Sequence, residues 1–311
     1  MVTEAERIGL DSVWTMENHH LRDGVTTAAV TLARTVNLKV VMGTLSPSFR
    51  HPVEIGLSTA SLVRVFPGRC ALNLGAGMAE TLARLGLPVD HPVGRMREAI
   101  EIIRLMFAGE RFAFSGRFYE VQKHHLSGDR LEMPDLFVSC MGPKLIALAG
   151  EVADGVNLPF SSPEYTHQSA ATFAEGSARG ERERTRQVIS AEVLVQVFEH
   201  PEELSGVRRL LGFHFASEHF KKVVAPSGLT LDHEAIRQAF LDRDFGRLEL
   251  LLPTDVMTNF CAVGSVDQII ERLKVYVTAG ADMILLYTAG TPEQRMRTMK
   301  ELAPAFKDAM G

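Results

Sequence analysis

The residues Cys140-Met141-Gly142-Pro143-Lys144 stand between an apolar run at residues 134–139 and a helical pattern at residues 145–152. That is the grammar of a strand, a tight turn and a helix start. Gly permits close backbone approach, Pro suits a first helical position, and Lys sets positive charge beside free N–H groups. Such a turn is built to hold an anion, a phosphate above all. Strand-to-helix turns also use Gly and Pro for geometry alone, and a Lys is commonly a solvated charge, so the turn gains weight only from its context. The segment Gly150-Glu151-Val152-Ala153-Asp154-Gly155 closes that helix, and a second short apolar strand at residues 156–159 completes a βαβ unit.

The same alternation runs through the chain. Short β-type runs are expected at residues 12–15, 38–43, 70–74, 136–139, 155–158, 189–198 and 283–287, with helices at 26–36, 53–65, 94–107 and 266–277. In the last helix Val266, Ile269, Ile270, Leu273 and Val277 form one apolar stripe, which is core. Repeated βα units with strands buried on both faces predict a parallel sheet, doubly wound or closed into an eight-stranded barrel, in one domain spanning residues 1–311. Two segments break the rhythm. Residues 110–122 read as a small hairpin outside the sheet, and residues 204–257 as several short polar helices suited to a lid or to helical padding. The chain opens inside a helical pattern at residues 3–10 and enters a strand with none before it. In a closed barrel strand one would then be missing, and each buried unpaired backbone group at such a gap costs about 1–3 kcal/mol, so the expectation is an upstream start or another filler.

Composition narrows the function. With 311 residues, 46% hydrophobic content and a net charge of -5, the chain can bury a large core and carries no basic footprint for nucleic acid. The run at residues 179–186 mixes charge signs, as a solvated face does. No apolar segment reaches membrane-spanning length, and the N-terminus lacks a signal-peptide layout, so a cytoplasmic protein without a membrane partner is expected. Cys70, Cys140 and Cys261 are spaced neither as metal ligands nor as a disulfide set, so no metal is expected.

Four stretches together resemble the luciferase-like flavin and deazaflavin oxidoreductases. They are residues 9–20, ending Glu17-Asn18-His19-His20; residues 43–52, Gly43-Thr44-Leu45-Ser46-Pro47-Ser48-Phe49-Arg50-His51-Pro52; residues 68–77, with Gly75 and Gly77; and the unit from Gly142-Pro143-Lys144 to Gly155. The resemblance runs from residue 4 to about 165 and resumes over 263–286. It implies a (β/α)8 TIM barrel with insertions, lacking its first strand here, with the cofactor at the C-terminal mouth of the strands. It also implies a non-prolyl cis peptide at Gly43–Thr44, in a bulge that props the cofactor ring.

The site residues follow from that alignment. Glu17 stands where the family carries an acidic residue, and Asn18 where it frequently carries His, which moves the candidate proton donor to His19 or His20. Imidazole suits the task near neutral pH. Neighbours on a regular strand point opposite ways, and His19 is favoured for the pocket. Asn18, Gly43, Thr44, Gly75, Gly77, Cys140, Met141, Gly142, Pro143 and Lys144 are assigned to the cofactor, with Met141 on the ring or in the core; Arg50 and His51 could bind an anionic tail or mark a helix entry. Gly75-Ala76-Gly77 is not a dinucleotide fingerprint, because the third Gly is absent. The implied activity is hydride transfer between coenzyme F420 and a small organic substrate. The alternatives are a reduced-FMN monooxygenase and a cofactor-binding protein without chemistry. The resemblance further suggests a homodimer, and Phe213, Phe215 and Phe220 a hydrophobic substrate, unless they are core.

Overall fold

The computed structural model describes residues 1–19, 21–180 and 187–310. His20, and residues 181–186 of the mixed-charge run, lie outside the described residues. Seven parallel strands form the main path of one curled sheet: β1 (Ser12–Trp14), β2 (Lys39–Leu45), β3 (Cys70–Gly75), then, past the hairpin of β4 (Phe112–Ser115) and β5 (Glu120–His124), β6 (Leu136–Ser139), β7 (Gly155–Leu158) and β8 (Val188–Val197), with β10 (Met283–Thr288) last. Between β8 and β10 in the chain lies β9 (Cys261–Gly264). β8 is long enough to pair with β7 through its first residues, with β9 through its last and with β10 along its middle.

The seven main strands are those expected from the alternating pattern, within a residue or two at each end. β1 pairs only with β2 and β10 only with β8, so the main path is an open half-barrel, with β9 as a side strand on β8. β4 and β5 are antiparallel and stand off the sheet, as expected for residues 110–122. Residues 204–257 fold into short helices, from Ser205–Phe215 to Thr254–Phe260. No helix among the described residues is long and apolar enough to cross a membrane.

Strand alternation divides the side chains between two faces. Leu72, Leu74, Leu136, Val138, Val156 and Leu158 face the helices and belong to the main core. Their neighbours Asn73, Phe137, Ser139 and Asn157 share the concave face with Trp14, whose ring meets Phe137 edge-on at 5.0 Å. Helix starts follow their local signals: Asp23 accepts from the Thr26 amide at 2.6 Å, Ser162 caps Pro163–Ser177, and Ser265 with Gln268 makes a capping box. Helix Pro143–Val152 packs so closely on Pro163–Ser177 that a Cβ at Gly150 would lie 2.1 Å from the Phe173 carbonyl oxygen, and one at Gly176 2.0 Å from that of Ala147.

Candidate active site at the strand mouth

The C-terminal ends of β2, β3, β6 and β7 and the middle of β8 are tied together by a ladder of polar side chains. The Asn73 amide donates to Thr44 Oγ1 at 2.9 Å and to Ser139 Oγ at 3.0 Å. Ser139 Oγ donates to Asn73 Oδ1 at 3.1 Å, and the Asn157 amide donates to Ser139 Oγ at 3.0 Å and to Glu192 Oε2 at 3.2 Å. These groups sit where closed barrels keep their chemistry. The Gly43–Thr44 bond is cis, as the resemblance implied, and the β2/β3 register shifts between Met42 and Leu45 around it. Gly75 is demanded by packing, since a Cβ there would lie 2.4 Å from the Thr44 methyl group.

The segment after β1 crosses the same mouth. Asn18 and Arg22 form a tight turn through backbone bonds, and the His19 ring stacks on Phe49 at 3.7 Å and 22°. Phe49 in turn lies against Gly77, where φ is +85°. His19, Phe49, Ser46 and Gly77 therefore gather the ends of β1, β2 and β3, and Ser46 Oγ donates to the Ala76 carbonyl at 3.0 Å. Glu17 is almost enclosed, its side chain 5% exposed, and accepts from Arg50 Nη2 at 2.6 Å. Arg50 also pairs with Asp23. Both carboxylates, Glu17 first, hold the Arg50 guanidinium above its ordinary value. Its charge is spent within the turn, which removes Arg50 as a free ligand for an anionic tail. His51 is a helix-entry residue whose Nδ1 accepts from the Val53 amide.

The turn after β6 is laid out as the sequence indicated. Helix Pro143–Val152 begins with Pro143 after Gly142, which makes no side-chain cap, and Lys144 is exposed. A Cβ at Gly142 would meet nothing within 4 Å. The fold does not require that glycine, so the open space beside it is available to a ligand approaching the helix N-terminus. Met141 is half-buried and packs on the core, and its carbonyl accepts from the Tyr165 hydroxyl at 2.5 Å. Cys140 departs from its assignment to the cofactor. Alternation from Ser139 turns its side chain outward into the core, 5% exposed, and burial raises its thiol pKa, leaving only its backbone near the mouth.

Both irregular segments reach the site. Glu98 accepts the amides of Arg117, Phe118 and Tyr119 at 2.8–3.1 Å, and the Tyr119 hydroxyl donates to the Pro47 carbonyl at 2.9 Å, which pins the hairpin beside the end of β2. On the other side the His214 ring packs at a tilt on Phe160 at 4.0 Å, and Phe160 meets Tyr287 at 5.2 Å. Phe160 keeps a left-handed φ of +46° just after β7, an unusual state for a bulky residue. Burial pushes His214 down to about 3, so its ring is neutral at ordinary pH. Phe215 and Phe220 are buried in the core and Phe213 is 43% exposed, so these phenylalanines give no support for a substrate wall. Phe160, His214 and Tyr287 form a further aromatic cluster beside the ends of β7 and β10, with Phe160 itself 3% exposed.

Glu192, Phe160, His214 and Tyr287 are absent from the sequence-level site. One signal for Glu192 was visible, a lone carboxyl in the run Val188-Ile189-Ser190-Ala191-Glu192-Val193-Leu194-Val195. Glu192 is 7% exposed, and burial, opposed by the Asn157 bond, pushes its carboxyl up to about 7. A carboxyl raised on folding contributes stability that is whole below its unfolded value and is lost as pH rises through the folded one. The window is therefore pH 4.5 to about 7. Glu192→Gln should match the parent in denaturant unfolding at low pH and exceed it by up to about 3 kcal/mol above neutrality. Equal stability of the two proteins on the alkaline side would contradict this.

A family model described as luciferase-like monooxygenase matches residues 1–283. The chain belongs to that family. Membership makes it an oxidoreductase enzyme. Within curated proteins it is 24% identical to 5,10-methylenetetrahydromethanopterin reductase of Archaeoglobus fulgidus, over 97% of this chain and 93% of the relative. It is 25% identical to F420-dependent glucose-6-phosphate dehydrogenase of Microbacterium testaceum, over 97% and 91%. The fold superposes on the coenzyme F420 dependent tetrahydromethanopterin reductase of Methanopyrus kandleri with a TM-score of 0.83 at 19% identity, covering 98% of this chain and 96% of that one.

The residues at the mouth fit a ring cofactor with a phosphate tail. The open approach to Gly142, the uncapped helix start and the half-buried Thr44 hydroxyl supply access and hydrogen-bonding capacity where such a group would lie.

Proposed function

We propose that this protein is an F420-dependent oxidoreductase acting on a small organic substrate. The observation that carries the reading is the open approach to Gly142, beside an uncapped helix N-terminus and an exposed Lys144, in a chain whose full-length relatives include enzymes named for F420. When bound, the deazaflavin would supply the hydride chemistry. Gly142 and Lys144 would hold its phosphate, the Gly43–Thr44 bulge would support the ring, and Gly75 and Gly77 would admit its edge. His19, exposed at the mouth and steadied by Phe49, would move the accompanying proton. Glu17 would orient that segment through Arg50 rather than act as a free base.

A second reading, a reduced-FMN monooxygenase, is supported by the family description. Separate titrations with F420 and FMN, oxidised and reduced, followed by ring absorbance and fluorescence, discriminate the two. Preferential deazaflavin binding is expected; preference for reduced FMN, with oxygen consumed in turnover, would overturn the F420 reading. A variant sharpens the test. Gly142 has φ -103° and ψ 138°, extended values that Val tolerates, and its Cβ direction is open. Gly142→Val should keep the parent's thermal midpoint yet weaken cofactor binding about tenfold or more, the worth of one charge-assisted contact. Unchanged affinity would remove the phosphate from this turn.

A further inference from the structure

The polar ladder ends at the Glu192 carboxyl. Among the described residues no Lys or Arg pairs with Glu192, and its side-chain partner is the Asn157 amide at 3.2 Å. The surrounding concave face is short of partners as well: Asn157 Oδ1, Ser190 Oγ and Trp14 Nε1 are buried without a hydrogen bond. A bare carboxylate in such surroundings is far more costly than a neutral acid. At the far end, Asn73 donates to Thr44 Oγ1, which leaves the Thr44 hydroxyl hydrogen free for an acceptor at the mouth. Five adjacent strands thus connect Glu192 to the place where the ring would rest.

We propose that Glu192 is a proton-taking positioning residue: the site binds a negatively charged cofactor ring with Glu192 protonated, and Asn157, Ser139 and Asn73 hold the Thr44 hydroxyl toward that ring. This rests on the deazaflavin reading above. The step is a protonation alone: the carboxylate of Glu192 takes a proton from the buffer as the anionic ring enters, so that two negative charges do not share one poorly solvated interior. The facing groups do not undercut it. β7 presents Asn157; β10 presents Tyr287, its hydroxyl raised first by burial and then by the Glu192 charge; Arg22 and Arg295 act on Tyr287 from the segment after β1 and from helix Pro292–Met310. His214 on helix Ser205–Phe215 is neutral. The carboxyl pushed up to about 7 by burial in the unliganded protein agrees with this geometry.

The test uses the intact protein and reduced F420. Binding at pH 8, measured by calorimetry in buffers of different ionisation enthalpy, should take up nearly one proton, and affinity should fall by up to about tenfold per pH unit above neutrality. Glu192→Gln, which keeps an acceptor for Asn157 but cannot titrate, should bind with no proton uptake and a flat profile. Infrared difference spectra of the unliganded protein should show a protonated-carboxyl band that titrates near neutrality and is missing in Glu192→Gln. Thr44→Val should keep that band and bind the ring more weakly at every pH. The same proton uptake in Glu192→Gln, no titrating band in the parent, or full affinity in Thr44→Val would each overturn the proposal while leaving the deazaflavin reading intact. Failure of the parent to bind either ring would overturn the deazaflavin reading and this inference with it.

Discussion

Gly43→Ala should abolish cofactor binding and cost at least about 3 kcal/mol of stability. The residue has φ of +151°, and a Cβ there would lie 2.2 Å from the Asn73 carbonyl oxygen and 3.0 Å from the Asn73 Cβ. That contact is with backbone in the middle of the sheet, so no flexible side chain can move aside. Either β2 leaves β3 or Asn73 shifts, and a shift of Asn73 breaks its bonds to Thr44 and Ser139 together. Gly68→Ala is the matched control. Its φ is also positive, at +74°, but its Cβ would meet nothing, so only a backbone preference of about 1 kcal/mol is at stake. Chemical denaturation and ring titration of both variants check the contrast; near-parental stability of Gly43→Ala would show that the sheet can open locally.

Removing the guanidinium that binds the first turn to the second has the next largest effect. Arg50→Met leaves the Glu17 carboxylate enclosed and without its partner, and also releases Asp23. Stripping one member of a buried pair costs about 3–5 kcal/mol, and the 29% exposure of Arg50 lowers that to about 2–3 kcal/mol. Residues 17–23, which carry Asn18 and His19, should loosen, so ring affinity falls along with stability. Adding Glu17→Gln to Arg50→Met should restore much of the loss, because the remaining cost is an unpaired charge. Denaturant midpoints of the single and double variants measure this, and no recovery in the double variant would mean that Arg50 matters through packing of its stem.

Much of the architecture is legible because period and punctuation are local properties. The runs at residues 38–43 and 70–74 read as strands, and Pro143 after Gly142 reads as a helix start, since those signals lie within a few residues of one another. Alignment to a family supplied the mouth as the place to look, and the glycines there kept their positions.

Partnership across the sheet is another matter. Glu17 and Arg50 are 33 positions apart, and only the β1/β2 register makes each the other's answer. Cys140 looked like part of the site and instead points into the core, because a one-residue step along a strand exchanges faces. Gly150, which reads as a helix ending, is there to let two helices touch. Glu192 shows the limit most clearly. A charged residue in an apolar run is visible to anyone reading the chain, yet whether it meets a cation, water or an amide depends on strands drawn from residues 39 to 197. The amino-acid order by itself determined the βα alternation, the glycine-bearing turns at the mouth and the family; the tertiary structure alone decided which polar groups share the mouth, because burial and pairing are set by register and closure rather than by neighbours in the chain.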